Sequence, residues 1–401
     1  MNKLTIGLNG TGSKGWIAGV NYISSFLYAN SLLSKSEQQI FHLFIKKNIH
    51  TKTDYEGVHE FTKSLRYYNF DYGYKLAQFR FLIKAVRKAA IHREKLGDIK
   101  NDLPKLLLDA NCQIIFPANG LLTNGPSSIK KISWIPDFQY KYFPEYFPKV
   151  LRIEHHTKKI LKLSDLVIVS NEYSKSDVLK YFPQYIHKIR VMPFTMWLGP
   201  EWETHDYENV IQKYHVPRKY LIYPSQFWVH KNHMRLFKAI AILKKRNKNN
   251  IRLVCTGFKQ DYRNPTYEKD LYSYIETQEL QENIQILGLI PRQDQIQLFR
   301  GAAAVVQPSL FEGHSALLDE VHSLGKEAFV SDIPMHREQH ARRFVYFDPY
   351  KSDDLADKLE NRWQSLRSGP NLKKEQLALK KYYLRLDALI KQFREICNSI
   401  I

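Results

Sequence analysis

Two carboxylates, Glu312 and Glu320, stand with seven residues between them in the segment QPSLFEGHSALLDEVHSLGKEAFVSDIP. A strand ends at Gln307, a turn carries Pro308, Glu312 and Gly313, and an apolar helix begins near Ser315. The first amides of a helix have no partners inside it, and its aligned peptide dipoles add positive potential there. Phosphate oxygens therefore find a seat beside His314, Ser315, Ala316 and Leu317. One carboxylate sits in the loop and the other about two turns along the helix, so both can accept hydroxyls of a single ligand. The plainer alternative is a turn glutamate and a solvated helix glutamate with no shared task.

These groups need a scaffold of alternating elements. Short apolar runs at 4–8, 113–116, 131–135, 166–170, 189–192, 220–223, 252–256, 284–287, 303–307 and 328–331 read as strands. Helical spacing is expected over 20–31, 74–95, 153–162, 174–181, 234–245, 267–278, 292–300, 315–324 and 352–366. Such alternation implies an α/β protein with parallel sheets and crossover helices. Three further loops then fall at strand ends. Lys231 and Asn232 follow the strand ending at Tyr223, Asp137 follows the strand 131–135, and Gly10, Gly12, Gly15 and Gly19 separate the first strand from the first helix. Asp137 at a sheet's carboxyl edge can orient a ligand hydroxyl or simply cap a turn. Glycines at such a loop permit close backbone approach to a phosphate, although many strand-to-helix turns are merely tight. The stretch LGPEWETHDYENV, from Leu198, breaks the pattern and reads as a hinge between two domains. A long helix over 372–401 closes the chain and is expected to pack back across the first domain.

Composition bounds the partners. The 401 residues hold 60 Lys and Arg against 40 Asp and Glu, a formal charge of +20, with 44% hydrophobic and 25% charged residues. That length suggests two or three domains of ordinary globular make-up. Cys112, Cys255 and Cys397 are scattered and odd in number, which argues against a disulfide framework and for a reducing, cytoplasmic setting. The opening MNKLTIGLNGTG lacks a secretory core, and no uncharged apolar stretch is long enough to span a bilayer. The positive surplus must then meet phosphates, nucleic acid or anionic lipid at a surface. His230 and His233 bracket Lys231 without a third ligand of suitable spacing, and the adjacent His155 and His156 point in different directions, so no metal site is expected.

The glutamate segment resembles the retaining glycosyltransferases of family four, whose signature sets two glutamates with seven residues between them in a consensus like PSLxEGxGxxxxEAxxxG. YPSQFWVHKNHMRLFKAIAIL is similar to the family's lysine segment, with Lys231 and Asn232 at the Lys-Asn pair. WIPDFQYKYFPEYF and VSNEYSKSDV resemble its HDxxxxxFPExF and VSxxSKxD segments, with Pro136 in place of the usual histidine before Asp137. The resemblance runs from about residue 6 to residue 350. It implies the GT-B fold: an acceptor-binding Rossmann-like domain over 1–198, a nucleotide-sugar donor-binding one over 199–371, and a helix over 372–401 crossing back to the first.

The same resemblance implies roles. Lys231 grips the donor diphosphate, Glu312 lies by the donor sugar and Glu320 by the ribose. Gly19 approaches a phosphate, and Leu289 and Ile290 flank the base, although a plain strand end with core aliphatics would look the same. The arginine usual before the lysine is replaced by Gln226, Phe227 and Trp228, and Arg235, one turn on, is the candidate substitute. No cofactor is implied beyond the nucleotide-sugar substrate. The acceptor is a glycan or lipid-linked glycan, as in bacterial polysaccharide or lipopolysaccharide synthesis. Residues 75–95, rich in both cations and apolar side chains, fit an anionic membrane surface or an ordinary sheet-covering helix. Rival readings are a sugar-nucleotide epimerase or phosphorylase on the same fold, and a basic nucleic-acid-binding protein; nucleic acid is not expected as a partner.

Overall fold

The computed structural model describes residues 3–12, 17–47, 55, 57–70, 101–119, 121, 126–199, 206–248, 250–261, 263–340 and 344–401. Two sheets organise them. The first contains β1 (Thr5–Asn9), β2 (Ile40–Lys46), β3 (Ser64–Tyr68), β4 (Ile114–Phe116), β5 (Lys130–Trp134), β6 (Leu166–Val169) and β7 (Ile189–Val191), in the order β3-β2-β1-β4-β5-β6-β7. The second contains β8 (Leu221–Pro224), β9 (Leu253–Thr256), β10 (Ile284–Gly288), β11 (Ala304–Gln307), β12 (Ala328–Ser331) and β13 (Val345–Phe347), in the order β10-β9-β8-β11-β12-β13. The pairings run parallel. Strands such as LVIV in β6 and AVVQ in β11 are buried at every position, as helix-covered parallel strands must be. This is the two-sheet GT-B architecture.

In the second sheet the order reverses between β8 and β11. Neighbouring strands there send their following helices to opposite faces, which opens a crevice at their carboxyl ends. Helix α7 (His233–Lys245) follows β8, and helix α10 (Ala316–Ser323) follows β11. Gly257, at φ +139°, ends β9 where an added Cβ would stand 2.2 Å from the Ser225 carbonyl oxygen, so only glycine lets the β8 and β9 ends come together.

Several elements differ from expectation. Strands β2, β3 and β13 were not anticipated: IFHLFIK is apolar on both faces, a pattern a buried helix shares. The four-residue α3 (Gln139–Tyr142) is too short to show a period, and α11 (Pro334–His340) opens on a proline that needs no amide partner there. Leu103–Asp109 (α2) and Tyr207–Lys213 (α6) are also additional helices. Helix α1 (Ile17–Ser31) starts early enough to place the buried Gly19 inside its first turn, where it had been expected just ahead of the helix. The helix read over 74–95 and residues 200–205 of the hinge lie outside the described residues.

Contacts group Met1–Ser133, Leu163–Asp165 and Cys397–Ile401 as one unit, and Trp134–Lys162 with Leu166–Ile396 as the other. Within the second unit the terminal helix α13 (Leu372–Asn398) buries Ala378, Tyr382, Leu386, Leu389, Ile390 and Phe393, a stripe at helical spacing. It reaches the edge strand of the first sheet, where Gln392 Nε2 donates to the Val191 carbonyl at 3.0 Å. Its first turn is tied to the second sheet's helices by a buried ion pair, Arg300 Nη2 to Glu375 Oε2 at 2.8 Å. Lys326 Nζ, also buried, donates to the Arg300 carbonyl at 2.7 Å. Glu375→Ala would take the carboxylate away from the buried Arg300 guanidinium, so urea unfolding is expected to show a loss of about 3–5 kcal/mol. A loss near zero would mean that the pair does not anchor the helix.

Candidate active site

Strand β8 delivers Lys231. The chain leaves Tyr223, makes one short turn over Val229–Lys231, and passes through Asn232 at φ 62° before α7 begins. Asn232 tolerates this left-handed conformation and uses its side-chain amide to donate to the Pro308 and Pro349 carbonyls at 3.0 and 2.9 Å. Tyr223 Oη donates to the Lys231 carbonyl at 2.8 Å. The lysine backbone is thus fixed from both sides, and its ammonium meets both Glu312 oxygens, at 2.7 and 2.9 Å.

Strand β11 delivers Glu312. Gln307, a polar residue ending an otherwise apolar buried strand, donates to Glu312 Oε1 at 2.8 Å. Both members of the ion pair are mostly buried, with 15% and 9% of their side chains exposed. Gly313 follows under tight constraint, because an added Cβ would stand 2.3 Å from the Pro136 carbonyl oxygen and 2.6 Å from Asp137 Cβ. Asn171 Nδ2 donates to the Gly313 carbonyl. The glutamate loop is therefore held against the segment carrying Asp137.

Ser315 caps α10, its hydroxyl accepting the Leu318 amide at 3.3 Å. The Gln339 side chain accepts from the Ser315 amide at 3.0 Å and donates back to the Ser315 carbonyl at 2.9 Å. The amides of Ala316 and Leu317 belong to the same first turn, at the positive end of the helix dipole. His314 packs its ring 4.1 Å from that of Phe194 and stands 3.5 Å from Asp319. Glu320 meets Arg292 Nη2 at 2.5 Å. Arg292 opens α9 (Arg292–Gly301), just after Leu289, which is largely exposed, and Ile290, which packs on the core.

Asp137 Oδ1 accepts the Gln139 amide at 2.9 Å and so caps α3. Burial pushes its carboxyl above the ordinary range; the Gln139 amide opposes this, Glu312 adds to it, and Lys231 and Arg263 oppose it. Arg263, fastened to Asp261 at 2.9 Å and lying 4.6 Å over the Trp228 ring, is thus the guanidinium whose charge reaches this corner. Arg235 lies in the first turn of α7, where its carbonyl accepts from Ser352. Gly19 belongs to the other unit.

Arg292, Arg263, Gln307 and Asn171 were not singled out from sequence. Arg292 carried a signal, since a cation at a helix start opposes the dipole unless an anion answers it. His230 and His233 are buried, and burial with the charge of Lys231 pushes both well below the ordinary range, His233 to about 3, so both rings are neutral. His155 and His156 are exposed. Among the described residues no group of His, Cys, Asp or Glu is arranged to hold a metal ion.

Residues 207–366 match the family described as "Glycosyl transferases group 1". No curated protein sequence matches the chain. Among solved structures, it is similar to Anabaena Alr3699/HepE in complex with UDP and glucose, at 16% identity and a TM-score of 0.66 over 99% of this chain and 100% of that one. A glycosyltransferase from Rickettsia africae ESF-5 is similar at 18% identity and a TM-score of 0.66, covering 100% and 99%. The lipopolysaccharide outer core galactosyltransferase WaaB, in its apo form, is similar at 16% identity and a TM-score of 0.60, covering 99% and 100%.

The segment beside Gly313 has its own titrating support. Tyr142 Oη donates to Asp177 Oδ1 at 2.5 Å, and burial raises the Asp177 carboxyl to about 6 from an ordinary 3.8. Because the folded value is the higher one, the unfolded chain ionises first as pH rises. The stability this group contributes is full below the unfolded value and is lost through the folded one, a fall of about 2–3 kcal/mol. Asp177→Asn should remove that fall between roughly pH 4 and 7 in urea unfolding; an unchanged pH profile would refute the assignment.

Proposed function

We propose that this chain, whose residues 207–366 match the glycosyl transferases group 1 family, moves a sugar from a nucleoside-diphosphate donor to an acceptor hydroxyl, with retention at the anomeric carbon. The observation that carries the reading is the Lys231–Glu312 contact of 2.7 Å at the switch point of the second sheet, next to the start of α10. A departing diphosphate gains negative charge, and a preorganised ammonium with helix-start amides stabilises it more in the transition state than in the ground state. Lys231 and the amides around Ser315, Ala316 and Leu317 take that role. Once the diphosphate draws the ammonium, the Glu312 carboxylate is released to accept hydroxyls of the donor sugar.

Glu320 accepts the ribose hydroxyls in exchange for Arg292, and Leu289 and Ile290 flank the base. Asp137 keeps one oxygen beyond its capping bond and orients the acceptor hydroxyl. The diphosphate oxygen takes the acceptor proton as the glycosyl bond breaks, so no dedicated carboxylate base is needed. Residues 1–198 bind the acceptor, 199–371 the donor, and 372–401 return to the first domain. The Anabaena relative holds UDP and glucose, which makes a uridine-diphosphate sugar the first donor to test. Likeness to WaaB supports a glycan or lipid-linked glycan acceptor of surface polysaccharide or lipopolysaccharide. The formal charge of +20 supports work in the cytoplasm at an anionic membrane face. No described helix is long and apolar enough to cross a membrane.

Thermal shift with UDP and UDP-sugars tests the site, since a ligand of the folded state raises Tm. Glu320→Ala is expected to weaken UDP binding about 10- to 100-fold through loss of charge-assisted hydrogen bonds. Lys231→Ala should lower turnover of the donor about 100- to 1,000-fold. Wild-type behaviour of both variants would defeat the assignment.

A further inference from the structure

A second cavity lies on the carboxyl side of β12 and β13, with a volume of about 620 Å³. That is within the roughly 300–1,000 Å³ range of small-molecule sites. Its floor is Phe311, Ile333 and Met335, on which Tyr142, Phe143 and Tyr173 pack. The Tyr142 and Phe311 ring centroids are 5.4 Å apart, and those of Tyr142 and Tyr173 are 6.0 Å apart. Tyr350, 59% exposed, stands at the rim with its apolar ring in water.

The rim is polar but compensated. Asp332 is bound by Arg337 at 2.6 Å, Asp354 by Lys358 at 2.6 Å, and Asp348 lies 3.5 Å from Lys351. Each carboxylate thus has a cation of its own, and neither sign of charge is left over to select a phosphate or an amine. Each also keeps lone pairs that can accept further hydrogen bonds. The exposed face of Tyr350 beside neutralised acceptors matches a molecule with an apolar C–H face and a ring of hydroxyls. A neutral pyranose has both features. Phe311 immediately precedes Glu312, so the cavity floor and the donor-side carboxylate share one loop.

We propose that this cavity is a saccharide subsite, in which Tyr142, Phe143 and Tyr173 of the acceptor-binding residues 1–198 are joined by the donor-side residues Phe311, Asp348 and Tyr350 in holding neutral sugar rings of the acceptor glycan. The inference rests on the transferase reading for the word acceptor; the affinity for neutral saccharides rests on the cavity alone. Saturation-transfer NMR on the full chain, with neutral di- and trisaccharides of glucose and galactose, tests it with UDP present and absent. At least one saccharide should receive saturation through its ring C–H protons and keep it when UDP is added. Tyr350→Ala should reduce that signal at least about threefold, the scale of a lost aromatic contact, while Tyr350→Phe keeps it. Asp348→Ala should also reduce it. The proposal is overturned if no saccharide is saturated, if UDP displaces the saccharide, or if Tyr350→Ala leaves the signal intact. Should UDP itself give no signal with the wild-type chain, the transferase reading and the acceptor assignment fall together.

Discussion

An ammonium and a carboxylate, each mostly out of water, hold one another where the second sheet reverses its strand order. Either alone would carry a desolvation penalty of several kcal/mol. Lys231 and Glu312 are held close because two loops, after β8 and after β11, converge, and adjacent strands at a switch point deliver them to one place. The rest of the second unit serves that convergence. Asn232 sews the lysine loop to Pro308 and Pro349, Gln307 steadies the carboxylate, and Ser331 Oγ donates to the Ser309 carbonyl at 2.6 Å behind it.

The pair is also a poised one. Glu312 is held by Lys231 and Glu320 by Arg292, so both carboxylates meet cations at 2.7 and 2.5 Å. A ligand with phosphates for the cations and hydroxyls for the carboxylates exchanges each ion pair for two complementary contacts, at little net cost in desolvation. This explains why acids and bases of opposite preference are interleaved around a single crevice. Gly313 sets the remaining geometry: without a side chain it lets the glutamate loop lie directly on Pro136 and Asp137.

Much of this was legible in the sequence, for identifiable reasons. Strand β11, the glutamate loop and α10 were readable because a buried apolar run, a glycine turn and a capping serine occur in succession, each signal local. Lys231 was readable from its place after a strand and from resemblance. The partners were not: Arg292 and Glu320 are 28 positions apart, and Asn171 meets Gly313 across 142 positions, so only the fold pairs them. Strand β13 was missed because three residues, VYF, carry too short a pattern. Arg235, one turn beyond Lys231, reads in the sequence as a second cation for the diphosphate and stands in the first turn of α7. The guanidinium whose charge reaches Asp137 comes from the loop after β9, where Asp261 holds Arg263.

The most direct measurement is diffraction from crystals soaked in UDP. The account predicts density for the pyrophosphate between the Lys231 ammonium and the start of α10, with the ribose against Glu320 and the Arg292 contact opened. Nucleotide bound elsewhere on the molecule, with the Lys231–Glu312 and Arg292–Glu320 pairs undisturbed, would contradict it.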